Sequence, residues 1–252
     1  LYVNACRKYG EVPSKAFYRG LTEKEIALRG NGLSLTGIKA CAVALLDNES
    51  VEKVDFSDNT LQVPGARCVA EMLRENEFIT DLNISDNKLM TGGVTVIADL
   101  MKANNYIRKL DLSGNGLGEQ DGEMIANILR ENFHLRELNL SHNCFRVEGG
   151  RAIGRALGYN EYLEILDLSW NHLRQGGATE IANGLSQNIG LKQLRLGWNG
   201  FHLEGSKVMM RALQTNATLG ELDLTSNRID MDCLDYILRG LQKNEQLKIL
   251  KV

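Results

Sequence analysis

Apolar residues along the chain follow two alternating rhythms, both tied to one asparagine. Asn31, Asn59, Asn87, Asn115, Asn143, Asn171, Asn199 and Asn227 stand 28 residues apart with no insertion or deletion between them. Counting back from this asparagine, apolar residues sit at positions −8, −5 and −3, as in Leu135, Leu138 and Leu140. The last two alternate with polar residues, and a period of two over so short a run predicts a strand with one buried face. Counting forward, apolar or small residues fall at +7, +10, +11 and +14, as in Ala178, Ile181, Ala182 and Leu185. That spacing is the stripe of an amphipathic helix. Glycine at +6, from Gly37 to Gly205, predicts a tight turn or a close approach at the helix entrance, with Asp121 and Cys233 departing from the rule. Asparagine at +17, from Asn48 to Asn244, predicts a left-handed residue that ends each helix.

A strand, a helix and a return in every repeat, stacked copy on copy, predicts an α/β solenoid. Its parallel sheet would line the concave face of a horseshoe, with the helices on the convex face. The register asparagine would turn inward, its amide serving backbone groups that are otherwise buried without partners. One domain is expected, with residues 1–24 as an N-terminal cap and 25–252 as eight repeats plus the start of a ninth. The first full helix is apolar on its outward side at Ala40, Val43 and Leu46, and Tyr2, Val3, Ala5 and Cys6 are the candidates to cover it. The chain begins at Leu1 and stops at Val252 inside a repeat, so a piece of a longer protein is expected.

Composition changes this picture little. With 43% apolar residues a core is well supplied, and a formal charge of −3 speaks against a general nucleic-acid binder, which needs a basic face. Five scattered cysteines without a C-x-x-C pair predict neither a disulfide ladder nor a metal site, and they point to a reducing, cytoplasmic setting. No stretch approaches the ~18 to 20 apolar residues of a membrane span. The sequons at Asn48, Asn83, Asn139 and Asn216 arise from the repeat itself and are not read as glycan sites.

The spacing matches L-x-x-L-x-L-x-x-N-x-L, the leucine-rich repeat. With its 28-residue βα unit the chain resembles the ribonuclease-inhibitor type of that family. LSWNHLRQGGA (Leu168–Ala178), WNGF (Trp198–Phe201), LTSNRI (Leu224–Ile229) and CRKYGEVPSKAF (Cys6–Phe17) are similar to the leucine-rich repeat-containing protein 74 group. The resemblance implies a fold and an interaction role and carries no functional residue across.

If −5 and −3 point to the helices, then −6, −4 and −2 face the open surface, with −1 at its rim. These columns hold ten acidic and five basic residues, so a basic or polar protein partner is expected there. Asp55 and Asp111 form an acidic wing of the −4 column, which also holds Asp167 and Arg195. Both tryptophans of the chain, Trp170 and Trp198, occupy −1 in successive repeats, with His142 one repeat earlier. Neighbouring indoles beside an arginine are the composition of an interface hot spot, and the bland alternative is that they only cover the core.

Catalytic readings are weaker. His142 and Cys144 lack a third group, the aspartates come from separate strands without a histidine pair, and Gly114–Gly118 lacks phosphate-loop spacing. Arg146, Arg151, Arg155 and Arg174 read as solvated charges before they read as a basic patch. The expectation is a monomeric, non-enzymatic scaffold without cofactor or metal, binding a protein on its concave face through Asp55, Asp111, Asp167, Trp170, Arg195 and Trp198. The alternative is a regulator of an enzyme, either an inhibitor or a small-GTPase activator.

Overall fold

An isoleucine, valine or leucine at −5, flanked by more exposed neighbours, becomes the middle of a three-residue strand in repeat after repeat. The computed structural model describes residues 1–252 and divides into two compact units, Leu1–Gly116 and Leu117–Val252. The first holds α1 (Tyr2–Tyr9), α2 (Lys15–Gly20), β1 (Glu25–Ala27), α3 (Leu35–Leu45), β2 (Lys53–Asp55), α4 (Gln62–Glu75), β3 (Asp81–Asn83), α5 (Met90–Ala103) and β4 (Lys109–Asp111). The second opens with a 3-10 turn, Glu119–Asp121, followed by α6 (Gly122–Glu131), β5 (Glu137–Asn139), α7 (Arg146–Tyr159), β6 (Ile165–Asp167) and α8 (Arg174–Gln187). It continues with β7 (Gln193–Arg195), α9 (His202–Thr215), β8 (Glu221–Asp223), α10 (Met231–Leu241) and β9 (Ile249–Lys251).

Strands pair in parallel and in sequence order, at the register the repeat dictates. Ile26, Val54, Leu82 and Leu110 stand opposite one another in the first unit, and Leu138, Leu166, Leu194, Leu222 and Leu250 in the second. The alternation predicted for −5 and −3 holds, since Leu166, Leu168, Leu194 and Leu196 are all fully buried. So does the helical stripe, where Ala178, Ile181, Ala182 and Leu185 are buried as well. Each such leucine contributes ~1.5 to 3 kcal/mol by leaving water.

From Asn59 to Asn227 the register asparagines turn inward as expected, whereas Asn31, in the first repeat, stays exposed. Asn87 donates from Nδ2 to the Phe56 carbonyl at 2.9 Å, and its Oδ1 accepts from the Asn59 and Leu61 N–H groups at 3.0 and 3.1 Å. Asn199 repeats the pattern in the second unit, bonding the Leu168 carbonyl at 2.8 Å and the Asn171 N–H at 3.0 Å. Each residue thus stitches its own turn to the one before it.

The asparagines at +17 do not adopt the expected left-handed conformation. Asn76, which ends α4, is extended at φ −78° and ψ 121°, and Asn216 ends α9 in the same way. Their side chains explain their presence instead. Asn76 Nδ2 reaches back to the Leu45 and Asn48 carbonyls at 2.7 and 2.9 Å, while Oδ1 takes the N–H groups of Phe78 and Ile79 at 2.9 Å. This is a second ladder, running beneath the return to each strand. Left-handed backbone lies elsewhere, at −1, +1 and +3, as at Trp170, His172 and Arg174 with φ of 59°, 54° and 51°. At +3 it lets the N–H donate across to the next repeat, as from Arg174 to the Asn199 carbonyl at 2.8 Å.

In the first unit α1 lies on α3 and buries Tyr2, Ala5 and Cys6. Val3, grouped with them from its apolar character, points out and is 42% exposed. Glu11 accepts hydrogen bonds from Ser34 and from Thr36, which hold its carboxyl below the ordinary value and tie the start of the chain to the first turn of α3.

Candidate functional site

The turns that follow β5, β6 and β7 bring His142, Trp170 and Trp198 to the same place in three successive repeats. Their N–H groups donate to the carbonyls of Ser169, Gly197 and Thr225 one repeat on, at 3.0, 2.9 and 2.9 Å. That ladder holds all three residues in the left-handed region, at φ of 55°, 59° and 60°. With backbones in register their rings stack. The two indoles lie 4.1 Å apart between centroids with planes 13° apart, and His142 stands over Trp170 at 5.5 Å and 14°. Both indoles stay open to solvent, Trp170 at 39% and Trp198 at 49%.

A bulky L-residue in this conformation costs about 1 to 2 kcal/mol, and offset ring stacking returns ~0.5 to 1.5 kcal/mol per pair. The chain uses glycine at the same position in Gly30 and Gly114, at φ of 62° and 63°. Tryptophan here is therefore not what the fold needs.

On the strand face beside the rings, Asp167, Arg195, Asp223 and Lys251 occupy one column and alternate in sign. Asp167 and Arg195 form an ion pair at 3.5 Å, and Lys251 donates to Glu221 at 2.8 Å. That hydrogen bond holds the Glu221 carboxyl below its ordinary value and raises the Lys251 ammonium above its own. Hence much of the acidity counted from the sequence is neutralised locally in this unit.

The −4 aspartates also have work inside their own turns. Asp55, Asp111, Asp167 and Asp223 each accept the N–H two residues on, at 2.8 to 2.9 Å, and Asn83 and Asn139 do so at 3.0 Å. A short side chain with an oxygen acceptor meets this need, which accounts for the Asp/Asn column without a ligand. Asp55 and Asp111 lie in the first unit, whereas Asp167, Trp170, Arg195 and Trp198 come together in the second.

The thiols show no paired chemistry. Cys6, Cys41, Cys68 and Cys233 are buried, and burial pushes the Cys41 thiol up to about 12, far from the reactive thiolate. Cys144 is exposed, and the ring of His142 is turned to Trp170. Two of the arginines read as solvated charges are ion-paired, Arg151 with Glu148 at 2.6 Å and Arg155 with Glu180 at 3.7 Å. No helix is long and apolar enough to cross a membrane.

Sequence reasoning placed the two tryptophans and missed the left-handed positions that follow them. His172, Arg174, His202 and Arg228 line the same open cleft as the indoles, about 950 Å³ in volume. Their signal was available as two further columns, +1 and +3, beside the −1 column of the rings.

Comparison with known proteins agrees with this architecture. An internalin, inlF, from Listeria monocytogenes has a TM-score of 0.54 at 14% identity, over 100% of this chain and 74% of that one. The receptor chain of a TLR13–ssRNA13 complex has a TM-score of 0.52 at 17% identity, over 91% of this chain and 34% of that one. The tropomodulin C-terminal domain of Caenorhabditis elegans has a TM-score of 0.48 at 12% identity, over 72% and 92%. At such identities the first two speak for a shared fold alone. A family model described as Leucine Rich repeat matches residues 103–126, 131–154 and 159–182. Each matched window encloses one register asparagine, Asn115, Asn143 or Asn171, at the same offset, so the family's repeat and the 28-residue unit coincide there, and the fold is that of an α/β leucine-rich-repeat solenoid.

Proposed function

We propose that the chain is a non-catalytic scaffold whose protein partner docks on the Trp170–Trp198 stack and on the strand face beside it, where Asp167 and Arg195 lie. The observation that carries this reading is the pair of indoles held exposed in left-handed backbone, where the same fold accepts glycine. Large rigid aromatic surfaces gain binding energy at little entropic cost, which is why tryptophan and arginine dominate interface hot spots. Asp55 and Asp111 serve as separate acidic contacts in the first unit, each through the carboxylate whose Oδ1 already closes its turn.

The test is affinity capture with the wild-type chain and with a Trp170→Gly/Trp198→Gly variant. Relief of the left-handed strain offsets the lost stacking, so the variant should melt close to the wild type. A partner retained by the wild type and lost by the variant is the expected result. Equal retention by both would remove the indoles from the interface.

A further inference from the structure

The indoles wall a cleft whose remaining charge has a single sign. Its lining includes His172, Arg174, His202 and Arg228, and no carboxylate. Other arginines of this chain are ion-paired, such as Arg130 with Glu123 at 2.8 Å, Arg151 with Glu148 at 2.6 Å and Arg239 with Asp235 at 2.7 Å. Arg174 and Arg228 are in no ion pair, although acidic residues outnumber basic ones in the sequence, 32 to 29. The carboxylates nearest in sequence are engaged elsewhere: Glu180, the nearest to Arg174, pairs with Arg155 at 3.7 Å, and Asp230, the nearest to Arg228, caps α10 by accepting from the Cys233 N–H at 2.9 Å. Two exposed, uncompensated guanidinium groups therefore flank a stacked apolar wall.

We propose that this cleft takes an acidic peptide segment of the partner, with carboxylates on Arg174 and Arg228 and an apolar side chain against Trp170 and Trp198. Guanidinium groups bind carboxylates through paired, charge-assisted hydrogen bonds, and the indole faces supply the apolar contact that fixes the segment's position. A continuous nucleic-acid backbone fits less well, because the adjoining strand face carries Asp167, Glu221 and Asp223, against which further phosphates would run. A peptide can confine its negative charge to the cleft. The inference rests on the scaffold reading above and adds the sign of the segment that enters.

Trp170 and Trp198 are the chain's two tryptophans, so their emission reports from this cleft alone. The experiment titrates the whole chain with a short synthetic peptide of glutamate and phenylalanine, and with its lysine and phenylalanine counterpart, at low and high salt. The acidic peptide should give a saturable change in emission that weakens with salt and falls about tenfold or more in Arg174→Gln/Arg228→Gln. Both arginines are exposed, and circular dichroism checks that the variant folds. No saturable change with the acidic peptide up to about 1 mM would overturn the proposal. So would equal binding of the lysine peptide, unchanged affinity in the arginine variant, or tighter binding of a single-stranded oligonucleotide. Partner capture that depends on the tryptophans but not on the arginines would leave the scaffold standing and remove the acidic segment. Capture indifferent to both would remove the two readings together.

Discussion

Asparagine carries two ladders in this chain, and the two were not equally legible. At the register position the spacing alone implied an inward amide, and Asn115 behaves so. It is fully buried, donates to the Ile84 and Leu112 carbonyls at 3.0 and 3.1 Å, and accepts from the Asn87 N–H at 3.0 Å. At +17 the sequence suggested left-handed backbone, because asparagine tolerates it. The structure uses the amide instead, and sequence could not separate the two roles because both favour the same residue at a helix end. Asn115→Leu leaves several buried backbone groups unpaired, each worth ~1 to 3 kcal/mol, so the melting temperature should drop by several degrees. Asn31 is exposed and its side chain donates only to the Arg29 carbonyl, so Asn31→Ala should melt like the wild type. Thermal unfolding followed by circular dichroism compares them, and similar melting of both variants would contradict the ladder.

Helix packing was legible as a stripe but not as a distance. The sequence marked glycine only at +6, where side-chain packing accounts for it: a Cβ at Gly93 would sit 2.7 Å from Leu89 Cβ. It gave no warning of how closely α7 and α8 approach. A Cβ at Gly154 would meet the Glu180 carbonyl carbon at 2.5 Å and the Ile181 nitrogen at 2.7 Å, both rigid backbone. A Cβ at Gly158, in the same helix, would have its nearest contact at 3.0 Å on the movable end of Gln187. Gly154 stands at the +11 stripe position, where Ala98, Ala126 and Ala182 stand in other repeats, and it looks like a poor helix former until the α8 backbone is placed beside it. Alanine gains ~1 kcal/mol of helix propensity at either site, but at Gly154 overpacking of ~1 to 3 kcal/mol opposes it. Chemical denaturation should therefore show Gly154→Ala destabilised and Gly158→Ala neutral or slightly stabilised. The reverse order would mean that the helices separate at little cost.

Stacked repeats gain stability from each neighbour, so within Leu117–Val252 an inner repeat should open less readily than one with a single strand partner. Strand β7 pairs on both sides, and Leu194 and Leu196 are fully buried. Strand β9 pairs with β8, while Ile249 is 47% and Val252 55% exposed. Both amides are hydrogen-bonded within the ordinary range, the Leu196 N–H to the Asp223 carbonyl at 2.8 Å and the Ile249 N–H to the Gly220 carbonyl at 3.1 Å. Any large difference in amide exchange must then come from stacking. Native-state hydrogen exchange should find the Leu168 and Leu196 amides slower than that of Ile249 by orders of magnitude. The same ordering bears on binding, because Trp170 and Trp198 ride on the turns of the well-stacked repeats. A surface that is already rigid loses little entropy when a partner docks, which favours these indoles as the contact. Equal protection along the unit would withdraw that advantage from the ring stack.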